Sequence, residues 1–284
     1  MNKKHIVLIG YGNVGKNIEA VLVENGHHVD IIVRSDGVYE NGVRVADTDN
    51  FFKYIKKEAF VFISTPTFES PDASYLYYKE SIENDAYIIT CEKSVLTHYP
   101  DLLKDARISC SATVGGDSGM LPALVQAVQN ESVYQAQAVV NGTLNYIAER
   151  FLEGATKEEV FREVTEKGFA ESGVSNFDEV ILSELQDVLF KAVILANASG
   201  LYSHIILKED VQISGYREGM RCVVRLSQNK IEAGFIEENT ADWLPKGVNA
   251  SLLVNGVKIT EGPGAGGRIT AERMYKDFLL LQRN

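Results

Sequence analysis

Cysteine is nearly absent: Cys91, Cys110 and Cys222 are the 3 in a chain of 284 residues, and they stand far apart. With no CxxC pair and no histidine cluster near them, neither a disulfide framework nor a zinc site is expected. The pattern fits reduced, mostly buried thiols. Positive charge is also scarce, since 28 Lys and Arg face 39 Asp and Glu for a formal net charge of -11. Nucleic acids and anionic membranes want basic patches, so neither is an expected partner. No apolar run reaches the roughly 20 residues of a membrane span. Gly10 and Gly12 interrupt the first apolar run too early for a signal peptide, so a soluble, cytoplasmic protein is expected. Internal repeats and low-complexity tracts are missing as well. What is left is an ordinary globular composition, 45% hydrophobic and 24% charged, with room for two domains.

The first motif lies at the start. His5 to Ile9 reads as a buried strand and runs into Gly10-Tyr11-Gly12-Asn13-Val14-Gly15. Ile18, Val21 and Leu22 then recur at helical spacing until Asn25-Gly26, and His28 to Val33 forms a second strand. Strand, GxGxxG, helix, strand is the context of the dinucleotide fingerprint: the glycines allow close backbone approach to a pyrophosphate, and the helix start offers N–H donors. Gly10, Gly12, Asn13, Val14 and Gly15 are therefore candidate cofactor contacts. The end of the second strand selects the nucleotide. Asp30 falls within that strand, whereas Arg34-Ser35 ends it, and a guanidinium with a hydroxyl suits a 2′-phosphate. NADP is expected, with NAD possible because Asp36 could serve a ribose. Later strands, Val61 to Ser64 and Tyr87 to Thr90, deliver Ser64-Thr65-Pro66 and Cys91-Glu92-Lys93 to the cofactor edge of the sheet.

The second motif is ILSELQDVLFKAVILANASG, from Ile181 to Gly200. A helical wheel gathers Leu182, Leu185, Leu189, Val193 and Ala196 on one stripe and sets Asp187 and Lys191, one turn apart, on the opposite face. A helix apolar nearly all round is a buried helix, and charges inside it must be paired or do chemistry. Lys191 and Lys93 are the candidate catalytic groups. A structural ion pair for the first and a solvated loop lysine for the second are the plain alternatives.

The remaining elements suggest a Rossmann-type doubly wound α/β domain over 1–128, joined by a C-terminal helix from 262–284. An α+β domain with a mixed, partly antiparallel sheet follows over 129–261, taking its strands around Val223 to Leu226, Glu232 to Ile236 and Ala250 to Val254. Asn141 or Thr143 would cap the helix after Val133 to Asn141, and Thr270 would cap the last helix.

Three segments carry a family resemblance. Asn141-Gly142-Thr143-Leu144-Asn145-Tyr146-Ile147, Gly168-Phe169-Ala170-Glu171 followed by Asp187 and Lys191, and Gly262-Pro263-Gly264-Ala265-Gly266-Gly267-Arg268-Ile269-Thr270-Ala271 together resemble the homoserine dehydrogenase family, in a short form without a regulatory domain. The resemblance implies interconversion of L-homoserine and L-aspartate 4-semialdehyde with NADP or NAD, and a homodimer. It implies substrate contacts at Glu171 and Asp187, with Asn141, Gly142, Thr143 and Tyr146 beside them, and cofactor contacts at Gly264 and Gly266. It gives Lys191 the reacting oxygen and Lys93 the proton. The chain differs from the family pattern in three places: a longer spacer between Glu171 and Asp187, Cys91-Glu92 before the first lysine, and Ser111 before the Ala112 to Gly116 turn. Residues 172–178, as the most deviant stretch, are expected to set substrate choice. No metal is assigned. Glu92-Lys93 also resembles part of the Glu-Lys-Pro motif of glucose-fructose oxidoreductase-like sugar dehydrogenases, and a cofactor-binding sensor without turnover is the reading of a different class.

Overall fold

The chain in order gives β1 (Ile6–Ile9), α1 (Asn13–Glu24), β2 (Ile31–Arg34), β3 (Gly37–Glu40), β4 (Val43–Ala46), β5 (Phe60–Ile63), α2 (Asp72–Glu83), β6 (Tyr87–Thr90), α3 (Ser94–His98) and β7 (Ile108–Ser109). It continues with α4 (Met120–Asn130), β8 (Gln135–Val139), α5 (Gly142–Leu152), α6 (Lys157–Glu166), α7 (Phe177–Ala198), β9 (Gln212–Ile213), β10 (Arg221–Ser227), β11 (Lys230–Ile236), β12 (Asn249–Val254), β13 (Val257–Pro263) and α8 (Gly267–Leu281). This computed structural model describes residues 4–170, 173–237 and 241–283. Two compact units result, 1–113 with 267–284 and 114–266. The division falls earlier than the boundary expected at 128 because α4 packs on α7 and β12 of the second unit.

In the first unit the strand order is β4-β3-β2-β1-β5-β6-β7. β2, β1, β5, β6 and β7 are parallel. β1 and β5 are buried at every residue, as expected of strands covered on both faces. Side chains alternate: Ile6, Leu8, Phe60, Phe62 and Ile89 form one core with Ile18, Val21 and Leu22 of α1 and Ala271, Met274 and Phe278 of α8. On β6 Thr90 has the opposite parity, and the buried Tyr78 of α2 donates to its Oγ1 at 2.8 Å. From β1 the chain crosses to β2 in one direction and from β5 to β6 in the other, so right-handed crossovers put α1 and α2 on opposite faces. The reversal between β1 and β5 is the switch point at which such sheets bind ligands.

Three details differ from the sequence reading. β2 begins at Ile31, so Asp30 precedes it; its carboxylate accepts from Ile6 N at 3.0 Å and lies 3.7 Å from His5 Nδ1. After β2 the chain turns back as the antiparallel strands β3 and β4, joined at Asn41-Gly42 with positive φ at both residues. Asn-Gly is the preferred pair for such a turn. Thr270 lies inside α8, which starts three residues earlier at Gly267. Asp277 of the same helix is fully buried and accepts from Ser111 N at 3.0 Å; burial pushes its carboxyl up, and Arg273 opposes that shift.

The second unit holds a sheet of order β13-β12-β8-β10-β11-β9, antiparallel except for β9 on β11. Helices α4, α5 and α7 pack on it. Long α7 is capped by Asn176, whose side chain accepts from Glu179 N at 3.0 Å. Its burial is the reverse of the wheel's expectation in the first half: Leu182 is 68% exposed, while Val180, Ile181, Glu184, Val188 and Lys191 are buried. No helix among the described residues is long and apolar enough to cross a membrane.

Because Phe278 packs against Phe60, Phe62 and His27, Phe278→Ala should cost about 3–5 kcal/mol. Urea unfolding would show this as a lower midpoint, and an unchanged midpoint would mean that α8 is not part of this core.

Candidate active site

At the switch point, Gly10 adopts φ +90°, and a Cβ there would come within 2.7 Å of the Ser64 carbonyl carbon. A Cβ on Gly15 would overlap Gly10 O. These two glycines let the loop close on itself and on the end of β5, where Ser64 Oγ donates to Gly10 O at 3.0 Å. Gly12 differs, because no atom lies within 4 Å of its would-be Cβ. Its backbone is open to a ligand. α1 starts there without a side-chain cap or an acidic residue in its first turn, which leaves its leading N–H groups suited to an anion. Gly267 lies beside Asn13, since a Cβ on it would be 2.8 Å from Asn13 Nδ2, so the start of α8 adjoins the start of α1. Val14 is half-buried at this loop, Thr65 Oγ1 pairs with Ser74 Oγ at 3.1 Å, and Pro66 is exposed. Arg34 spreads its guanidinium 4.6 Å from the Tyr39 ring centroid and 5.9 Å from that of Tyr11, with Ser35 in the turn that follows. The donor set fits a dinucleotide.

The turn before α3 carries Lys93 as the N-cap residue. Glu92 beside it is fully buried, and its carboxylate accepts from Ser94 N at 2.7 Å, Val95 N at 3.2 Å and the Ser94 hydroxyl. Its own N–H donates to Thr90 Oγ1 at 3.0 Å. The residue that departs from the family pattern therefore fixes the backbone at Lys93. Burial pushes the Cys91 thiol up to about 11, so it is no nucleophile at neutral pH.

In the second unit Asn141, Asp187 and Lys191 come together, and Glu184 joins them. The Asn141 carbonyl oxygen caps α5 by accepting from Leu144 N at 2.8 Å, which decides the cap in favour of Asn141 over Thr143. Its amide nitrogen donates to Glu184 Oε2 at 2.6 Å and to Asp187 Oδ2 at 2.9 Å. Lys191 Nζ lies 2.6 Å from Asp187 Oδ2 and donates to Val140 O at 3.0 Å, so two of its three donors are engaged among the described residues. One amide, two carboxylates and one ammonium form a cluster with Glu184 and Lys191 at 6% and 9% exposure. Glu184 is missing from the sequence reading, although Glu184, Asp187 and Lys191 follow i, i+3, i+7 spacing and so share one helical face.

The other expected contacts divide. Thr143 Oγ1 donates to Phe169 O at 3.1 Å, tying α5 to the segment that leads to Glu171, which lies with Ser172 outside the described residues. Of the stretch 172–178, Ser175, Asn176 and Phe177 form the start of α7, with Ser175 N donating to Glu179 at 2.7 Å. Gly142 packs where a Cβ would overlap Val248 O and approach Ala265. Gly264 N donates to Val248 O at 2.9 Å, the same carbonyl that Gly142 approaches, and Gly266 is the last residue of the second unit. The Tyr146 hydroxyl is committed to Glu163 at 2.6 Å on α6. Asn145, in the same motif, is a clamp: its amide donates to Pro245 O at 3.0 Å and Gly247 O at 2.8 Å, and its carbonyl accepts from the buried Arg221. Among the described residues no group of three or more His, Cys, Asp or Glu could hold a metal ion.

A glycine loop at the switch point of a parallel sheet, followed by a second unit that buries a lysine on a carboxylate, defines a Rossmann-type nucleotide-binding fold with an added α+β unit. The family model for homoserine dehydrogenase matches residues 120–243, which include the whole of the buried cluster. A homoserine dehydrogenase of Sulfurisphaera tokodaii is 24% identical over 98% of this chain and 99% of its own length, and one of Bacillus subtilis is 23% identical over 100% and 74%. The crystal structure of homoserine dehydrogenase from Thermoplasma acidophilum has a TM-score of 0.79 at 22% identity, covering 99% of both chains. A hyperthermophilic archaeal homoserine dehydrogenase in complex with NADPH has a TM-score of 0.78 at 19% identity, covering 99% of this chain and 98% of its own. The chain is thus similar to homoserine dehydrogenases over nearly its whole length.

The shared amide makes an unusual forecast. Asp is ordinarily as good a helix cap as Asn, yet Asn141→Asp would set a third carboxylate against Glu184 and Asp187. It should destabilise more than Asn141→Ala, itself expected to cost about 2–4 kcal/mol through the lost cap and two unsatisfied acceptors. Denaturation midpoints of the two variants decide this, and an Asn141→Asp protein as stable as the unaltered one would contradict the cluster's charge logic.

Proposed function

We propose that the protein interconverts L-homoserine and L-aspartate 4-semialdehyde, with NADP(H) preferred over NAD(H), and that it does so as a cytoplasmic homodimer. The observation that carries this reading is the Lys191 ammonium, held by Asp187 and Val140 O with its third N–H uncommitted among the described residues. A purely structural ion pair needs no spare donor, and neither does a nucleotide sensor. The open backbone at Gly12 and the Arg34 guanidinium support the nucleotide assignment.

In this reading Gly10 to Gly15 and the start of α1 hold the pyrophosphate, Ser64 to Pro66 and the Gly264 and Gly266 backbone contact the cofactor, and Arg34 with Ser35 receives the 2′-phosphate. A bound nicotinamide supplies or accepts the hydride. The protein's own part is to orient the substrate and move one proton. Glu171 and Asp187 bind the amino-acid head of the substrate. When the aldehyde is reduced, negative charge grows on its oxygen, and the third N–H of Lys191 stabilises that charge. Lys93 carries the proton. The two lysines belong to different units, Lys93 to the first and Lys191 to the second.

The test is an absorbance assay of the purified protein with NADPH or NADH and aspartate semialdehyde, and in reverse with homoserine. Turnover with a panel of other aldehydes but none with semialdehyde would replace the substrate and keep the chemistry. Lys191→Met should lower kcat by at least about a hundredfold while leaving nucleotide affinity within about twofold, because the contact strengthens as the oxyanion forms. Lys93→Met should lose at least as much. A fully active Lys191→Met protein returns the pair to a structural role. Arg34→Asp should shift preference toward NADH, and tighter binding of NADH by the unaltered protein would remove the basis for the 2′-phosphate site.

A further inference from the structure

The guanidinium assigned to the 2′-phosphate already has an anion of its own. Ser35 and Asp36 form the two-residue turn between β2 and β3, whose register pairs Arg34 with Gly37. The turn brings the Asp36 carboxylate to the Arg34 guanidinium: Nε lies 3.2 Å from Oδ1, and a terminal nitrogen donates to Oδ2 at 3.4 Å. The Tyr39 hydroxyl donates to the same Oδ2 at 2.9 Å while its ring lies under the guanidinium. Arg44 on β4 holds the turn from the other side by donating from Nε to Asp36 O at 2.8 Å, and its terminal nitrogen is paired with Asp47. Each of the two arginines of this corner therefore faces an aspartate. The Tyr39 hydroxyl first, and then the Arg34 and Arg44 charges, hold the Asp36 carboxyl below the usual carboxylate range, so it is an anion at neutral pH.

We infer that Asp36 is a built-in competitor for the cofactor's 2′-phosphate and narrows the preference of this protein for NADP(H) over NAD(H). The inference rests on the reading of the first unit as an NADP(H) site with Arg34 at the 2′-phosphate. A phosphate that approaches Arg34 meets a carboxylate fixed by a tight turn and a tyrosine, and it must either displace that carboxylate or sit beside a like charge. Asp36 cannot swing away without giving up the Tyr39 bond. With NAD(H) the same carboxylate is an asset, since an acidic residue past the second strand accepts from ribose hydroxyls. One side chain thus acts in opposite senses on the two cofactors, and the balance between them follows from the Ser35-Asp36 turn as much as from Arg34. Asp36 is 56% exposed at its side chain, so the effect is moderate and falls as salt screens it.

The test is fluorescence titration of NADPH and NADH into the unaltered protein and Asp36→Asn, which keeps the size and removes the charge, at low ionic strength. The ratio of NADPH to NADH affinity is expected to rise about fivefold or more in Asp36→Asn, with no tightening of NADH. In an Arg34→Ala background the same change should give no gain, because the competition is for that guanidinium. An unchanged or reduced ratio in a protein that binds NADPH overturns the inference and leaves the cofactor reading standing. Failure of the unaltered protein to bind either nucleotide overturns both.

Discussion

Everything about the buried cluster of the second unit depends on how one side-chain amide is shared. Asn141 uses its carbonyl oxygen to start α5 and its amide nitrogen to bind Glu184 and Asp187 of α7. Two carboxylates that close would repel each other and, if buried alone, would neutralise rather than stay charged. The amide between them and the Lys191 ammonium beyond them relieve that cost. In return, the position of Lys191 is tied to the start of α5 through both Asp187 and Val140 O. The glycines near this point serve the same end. Gly142 admits Val248 O where a side chain would clash, and Gly264 packs against the Ala250 Cβ, so backbone can come close enough to hold α5 at that spot.

In the first unit the governing constraint is backbone approach at the strand reversal between β1 and β5. Gly10 and Gly15 are small because the loop folds onto itself and onto Ser64, whereas Gly12 leaves its backbone open. The motif letters look alike in sequence and do different jobs. Beyond β2 the sheet is extended by antiparallel β3 and β4, which put Asp36, Tyr39 and Arg44 around Arg34. The corner around Arg34 is thus made by a hairpin and not by another helix crossover.

Most of the parallel sheet can be read from the sequence because strands buried on both faces are continuous apolar runs bounded by glycine or polar turns, as in Phe60 to Ile63 and Tyr87 to Thr90. The β3–β4 hairpin leaves a fainter trace in Asn41-Gly42, since its strands are short and half-exposed, with weak periodicity. On α7 the wheel locates Asp187 and Lys191 correctly and misjudges the burial of Leu182, because hydrophobicity alone does not say which face a neighbour covers. Glu184 escapes for the same reason: a glutamate in a helix reads as solvated until the Asn141 amide, 43 residues away in sequence, is seen against it. The partners of Tyr146 and Asn145, Glu163 for one and the 245–247 backbone for the other, are long-range contacts that the motif itself does not spell out.

Hydride transfer to the semialdehyde is the central claim, and isotope transfer tests it without reference to any variant. The unaltered protein would be incubated with aspartate 4-semialdehyde and NADPH doubly deuterated at nicotinamide C4, and the product examined by mass spectrometry and NMR. Direct transfer predicts homoserine carrying a single deuterium on the carbon that bears the hydroxyl. Homoserine without deuterium, or no homoserine at all, would contradict it.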